Sequence, residues 1–212
     1  MDAGMASAMK ASMMSKPWWS FRSGMRWLQG ATLGIALASA AAASDGSQPR
    51  KTERYDVKTQ GLSAGAARTV VLAPDGVVRS VVTDFSKYDS FISRFKQAKV
   101  VGRVGDKTDV YLQVPIMNGA VKIWAVVRFD PPKQVGNDHV ISGKMVKGNV
   151  KRLDAVWRIH KVNDESTELR LELLIVPDLP VPESLVLPEV RYAADKAVSG
   201  TRDEAERRAS VH

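Results

Sequence analysis

The residues able to do acid–base or metal chemistry are few in this sequence and poorly spaced for it. There are three histidines, His139, His160 and His212. The first opens an extended run, the second closes one and the third is the last residue, so no HExxH-like or other ligand spacing forms. Cysteine is absent, which removes disulfides, thiolate metal sites and cysteine nucleophiles. No Gly-x-Ser-x-Gly elbow, P-loop or dinucleotide fingerprint occurs. The carboxylates Asp84 and Asp89 flank a turn between two helical stretches, where capping or turn formation accounts for them. No catalytic residue, metal ligand or cofactor is expected from this set.

The informative residues are apolar, and they belong to elements that can be read along the chain. Arg68–Ala73 is a β-branched strand, the firmer of two extended pieces around Gly61–Gly65. Pro74 suits a helix first turn and Asp75 places negative charge near its N-terminus. Val77, Val78, Val81, Val82 and Phe85 follow at helical spacing. A second short helix, Lys87–Phe95, presents Tyr88, Phe91, Ile92 and Phe95 on one face. From Lys99 the period becomes two. Val100–Val104 and Asp109–Ile116 are extended, and Asn118-Gly119 is a hairpin signal leading into Ala120–Phe129. In that strand Val121, Ile123, Ala125, Val127 and Phe129 share a face, opposite Lys122, Trp124 and Arg128.

His139–Val146 and Lys151–Lys161 continue the sheet, the latter alternating Leu153, Ala155, Trp157 and Ile159 with polar residues. The last strand sets Leu169, Leu171, Leu173 and Ile175 against Glu168, Arg170, Glu172 and Leu174. One face is apolar and one wet, as in an antiparallel sheet covered on one side. Pro177–Pro188, with four prolines, reads as a stiff connection that is neither helix nor central strand. A long helix, Pro188–Arg208, follows, with Val190, Ala193, Ala194, Ala197, Val198, Thr201 and Ala205 as its inner stripe. As the only long element available, it is expected to cover the concave face of the sheet.

The N-terminus has a separate character. Arg22 and Arg26 precede an uncharged apolar run, Trp27–Ala43, that ends in small residues, the three-part pattern of a signal peptide. At about 1.5 Å per residue this run reaches about 25 Å as a helix, short of a ~30 Å hydrocarbon core, so a retained anchor is the weaker reading. Residues 1–43 are read as the leader, with translation starting at Met14 or Met25 as alternatives. Residues 44–54 are then a flexible lead-in and 55–212 the domain, exported to the periplasm or secreted. The 31 basic and 23 acidic residues give the whole chain +8. Without the four basic residues and one acid of the leader, the excess falls to about five and is dispersed. That distribution does not suggest nucleic acid and allows a weak association with anionic membrane surfaces.

The stretch Ala73-Pro74-Asp75-Gly76-Val77-Val78-Arg79-Ser80-Val81-Val82-Thr83-Asp84-Phe85-Ser86-Lys87-Tyr88-Asp89-Ser90-Phe91 resembles the opening of START-like polyketide cyclase/dehydrase and coenzyme Q-binding domains. The proline-rich lead into the last helix is similar too, and the likeness spans roughly residues 66–208. It implies an α+β helix-grip fold, a curved antiparallel sheet around a long C-terminal helix, with an apolar cavity between them. No catalytic set is shared across that superfamily, so none is implied. The expected lining is Phe91, Leu112, Val114, Ile123, Ala125, Val127, Ile141, Met145, Ala155, Trp157, Leu171, Leu173, Val190, Ala194 and Ala197.

Small alanines facing a curved sheet leave room, but they equally permit close packing. Three functions follow. The first is a carrier of a lipid-like or polycyclic molecule. The second is a cyclase or dehydratase using an inward polar pair. The third is an interaction module with a filled core and Trp124 outside.

Overall fold

In the computed structural model the described residues are 51–116, 121–178 and 180–211. The leader and most of the lead-in therefore lie outside them, as do the Asn118-Gly119 turn and His212. Nine strands form one antiparallel sheet among the described residues. They are β1 (Glu53–Thr59), β2 (Leu62–Val71), β3 (Gln97–Val104), β4 (Lys107–Ile116), β5 (Val121–Phe129), β6 (Lys133–Val135), β7 (Asp138–Gly148), β8 (Arg152–Lys161) and β9 (Thr167–Val176). Their spatial order is β1-β2-β9-β8-β7-β5-β4-β3, with short β6 on β7. Helices α1 (Asp75–Val82) and α2 (Tyr88–Phe91) separate β2 from β3, and α3 (Glu183–Ala209) ends the chain. This is the helix-grip architecture.

The period-two readings describe β5 and β8 well, whereas in β9 Leu174 of the expected wet face is buried and Leu173 and Ile175 are half-buried. Ala125, Val127 and Phe129 of β5 are buried, as are Leu153, Ala155, Trp157 and Ile159 of β8. Register shifts in β3–β4 and β5–β7 break the ladder locally, and such bulges bend a sheet.

The elements depart from expectation in four places. The Gln60–Gly61 turn, both residues at positive φ, is so tight that Leu62–Gly65 belongs to β2 rather than to a loop. Strand β1 also begins at Glu53, inside the segment read as lead-in. Helix α2 stops at Phe91 because Ile92 turns to extended backbone, so Phe95 is not on a continuous helical face. Helix α3 begins at Glu183, five residues before the expected start, with Pro188 inside it. Pro182 is the N-cap, and its carbonyl accepts from the Leu185 and Val186 amides. Pro188 is the sixth helical residue, so the helix forgoes one hydrogen bond, the one an amide at 188 would have given to the Ser184 carbonyl.

Helix α3 does not lie centrally over the sheet. It rests on β2 and β9, with α1 and α2 against its later turns. At Gly65 of β2, an added Cβ would stand 2.6 Å from the Arg191 nitrogen and 2.9 Å from the Val190 carbonyl carbon. The missing side chain lets the helix backbone sit directly on this strand. The inner faces of β4 and β5 are left without a helix pressed on them, and β8 meets α1 rather than α3.

Candidate functional site

The space left by that lean is a cavity of about 520 Å³, lined almost wholly by apolar side chains. Strand register assembles its floor. Leu112 of β4 is opposite Ala125 of β5, and Val114 opposite Ile123. Ala155 of β8 is opposite Leu173 of β9, and Trp157 opposite Leu171. Val127 completes the set on β5, while Val190 and Ala197 of α3 form part of the roof. These expected residues all meet at the cavity.

Four others do not. Ala194 is fully buried yet faces away from the cavity. It follows Val190 and Arg191 by one helical turn, so it continues the side that sits on β2. Ala193 lines the cavity instead. Ile141 is fully enclosed in the packed core around β7, and Met145 packs on the edge of that core near Gly148. Phe91 stacks edge-on against Tyr88, while its carbonyl faces α3 at Gly200.

Phe129, Leu153 and Ile175 line the cavity without having been singled out, although the same alternation pointed them inward. Tyr88, Ile92 and Phe95 close the end beside α2. Burial pushes the Tyr88 phenol well above its ordinary range, with a smaller opposing effect from Trp157. Its hydroxyl donates to the Val82 carbonyl. The group is thus neutral, and its proton is already engaged.

Pro177, Asp178, Val181, Leu185, Val186 and Glu189 form a rim on the side of the proline-rich segment, with Asn149 and Arg94 also in the wall. No sequence signal separated this rim from a connection, because the prolines concealed the start of α3. The polar groups of the site gather here. Arg94 Nη2 donates to Glu189 Oε2 at 3.2 Å, and the guanidinium carbon lies 5.0 Å from the Tyr192 ring centre.

The remaining polar groups are structural ties away from the cavity. Asp84 accepts from Arg208 at 2.9 Å and Asp89 accepts from the Ala98 amide at 3.2 Å. Of the capping or turn formation expected of the two carboxylates, Asp84 keeps a local turn contact from the Ser86 hydroxyl at 3.4 Å and makes no side-chain cap bond. His139 Nε2 is 2.7 Å from Arg79 Nη1, and His160 Nδ1 is 2.7 Å from Asp138. Among the described residues no group of three or more potential ligands could hold a metal. Trp124 stacks on Tyr111 on the opposite face of the sheet, ring centres 6.2 Å apart.

The sequence model of the family described as "Polyketide cyclase / dehydrase and lipid transport" matches residues 72–199, covering both short helices, β3 to β9 and most of α3. The chain belongs to this family. Solved structures share the fold at low identity. A STAR-related lipid transfer protein from Xanthomonas axonopodis is 12% identical, with a TM-score of 0.62 over 74% of this chain and 99% of its own. A START superfamily protein from Mycobacterium smegmatis is 20% identical, with a TM-score of 0.54 over 69% of this chain and 96% of its own. The Zhui aromatase/cyclase from Streptomyces sp. R1128 is 17% identical, with a TM-score of 0.52 over 74% and 96%. No curated protein sequence matches the chain.

Proposed function

We propose that this protein is an exported carrier that holds an apolar small molecule between its sheet and the first half of α3. The observation that carries the reading is the cavity itself: its size lies within the roughly 300–1,000 Å³ of small-molecule pockets, and its walls are apolar with a few polar groups at one end. The carrier reading is favoured over catalysis by the position of those polar groups. They sit at the rim, and the one phenol further in is neutral and bonded to backbone.

Export rests on the leader at residues 1–43. Weak contact with anionic membranes is part of the same proposal, supported by the mild basic excess and by the exposed apolar side chains Leu185 and Val181 at the rim. Native mass spectrometry of protein purified from its source tests the reading. A co-purified apolar molecule, released when Ala197 is replaced by phenylalanine, is the expected result. A chain that carries nothing and takes up no added apolar compound would overturn it.

A further inference from the structure

We propose that Arg94 is the head-group residue of this cavity and that the bound molecule is a long apolar monocarboxylate. The inference rests on the carrier reading and specifies its ligand. Arg94 is the only cation among the described residues of the lining. Its Nε is buried and makes no hydrogen bond within the chain. An enclosed guanidinium N–H without an acceptor is costly, so a wall of this kind gains from a ligand oxygen.

The existing partner is replaceable. The contact with Glu189 is a single bond of 3.2 Å, and the Glu189 side chain is 59% exposed while that of Arg94 is 22% exposed. Such half-solvated pairs contribute little. Stacking on Tyr192 holds the guanidinium in place without consuming its N–H groups. A ligand carboxylate arriving from the cavity takes Nε and Nη2 side by side, the two-bond geometry a guanidinium favours. Glu189 then turns to water.

The charge of the rim narrows the head group further. Asp178 and Glu189 stand in the same wall as Arg94. With Glu189 bonded to the guanidinium and Asp178 in the same lining, the two carboxylates disfavour a doubly charged phosphate monoester. They tolerate a head with a single charge that replaces one of them. The rest of the lining demands an apolar body.

The test is a fluorescence titration of the full domain with cis-parinaric acid and with its methyl ester, at mildly alkaline pH where the acid is ionised. Wild type is expected to bind the acid about tenfold more tightly than the ester, the worth of a charge-assisted pair after displacing Glu189. R94Q is expected to bring the acid-to-ester ratio close to one, and R94K to leave an intermediate value because it keeps charge without the fork. E189Q, at an exposed position, is expected to raise the ratio several-fold, and it carries the test if R94Q fails to fold. Equal binding of acid and ester by wild type would overturn the inference and leave the carrier reading standing. So would a ratio unchanged in R94Q, or one unchanged or lowered in E189Q. If wild type binds neither compound, both the inference and the carrier reading fall.

Discussion

The two halves of α3 are built on opposite terms. Its later turns are sealed: Val198, Thr201 and Ala205 are fully buried, and a Cβ on Gly200 would lie 2.2 Å from the Phe91 carbonyl oxygen. Around them Glu206 accepts from the Leu72 amide at 2.8 Å, and Arg208 reaches Asp84 at 2.9 Å. Apart from Arg94 at the rim, the earlier turns pack on the rest of the chain along one side. There Gly65 receives the backbone and Arg54 pairs with Asp195 at 2.7 Å, while Leu185 is 65% exposed. One helix is anchored at one end and left to roof a cavity at the other. Stability and binding are thereby assigned to different stretches of the same element, and substitutions should separate them.

The largest effect on stability belongs to the solid core. Ile141→Ala is expected to cost about 2–5 kcal/mol in denaturant unfolding, because it opens a void where none exists. Leu173→Ala should cost well under half of that, since its side chain already borders empty space. Equal losses at the two positions would mean that the cavity is as full as the core.

Next in size is the sealed end of α3. Alanine is better than glycine in a helix by about 1 kcal/mol, yet Gly200→Ala is expected to destabilise by about 1–3 kcal/mol, because the Phe91 carbonyl must move away. A gain in melting temperature would show that α2 and α3 are not pressed together there.

A smaller effect concerns the latch at the end of α3. Hydrogen bonds from Arg207 foremost, and from Arg208, outweigh burial and hold the Glu204 carboxyl down at about 2 against an ordinary 4.5. A lowered carboxyl pKa stabilises the fold above the unfolded value, and that contribution fades as pH falls from about 4.5 towards 2. Arg207 is largely exposed, so solvent screening reduces the contribution to about 1 kcal/mol. Glu204→Gln should flatten stability across that window and leave binding near neutral pH unchanged. An unaltered acid profile in E204Q would exclude Glu204 as the group responsible.

The same contrast explains what could be read from the residues. Strand alternation placed Ala125, Val127, Ala155, Trp157 and Leu171 on the inner face because period two leaves only two choices. A helix stripe is less decisive: Ala193 and Ala194 are adjacent and about 100° apart, and which of them faces the cavity depends on how far α3 leans towards β2. Nothing local encodes that lean except Gly65, whose role shows only once Val190 and Arg191 are seen above it. The rim was hidden for a different reason. In sequence Pro188 reads as a helix start, which leaves Leu185 and Val186 in the connection. Arg94 carries no signal in the sequence, because only the fold of α3 brings Glu189 and Tyr192 to it.

The central claim is that protein atoms leave room beneath the first half of α3 and that an apolar molecule fills it. Titration of wild type, Ala193→Phe and Ala194→Phe with the neutral apolar dye N-phenyl-1-naphthylamine addresses it most directly. Wild type is expected to show one saturable site. Binding should weaken at least tenfold in A193F with the melting temperature almost unchanged, whereas A194F should lose stability because it meets β2. Absence of a saturable site, or an A193F variant that binds the dye as wild type does, would mean that no ligand space lies beneath the first half of α3.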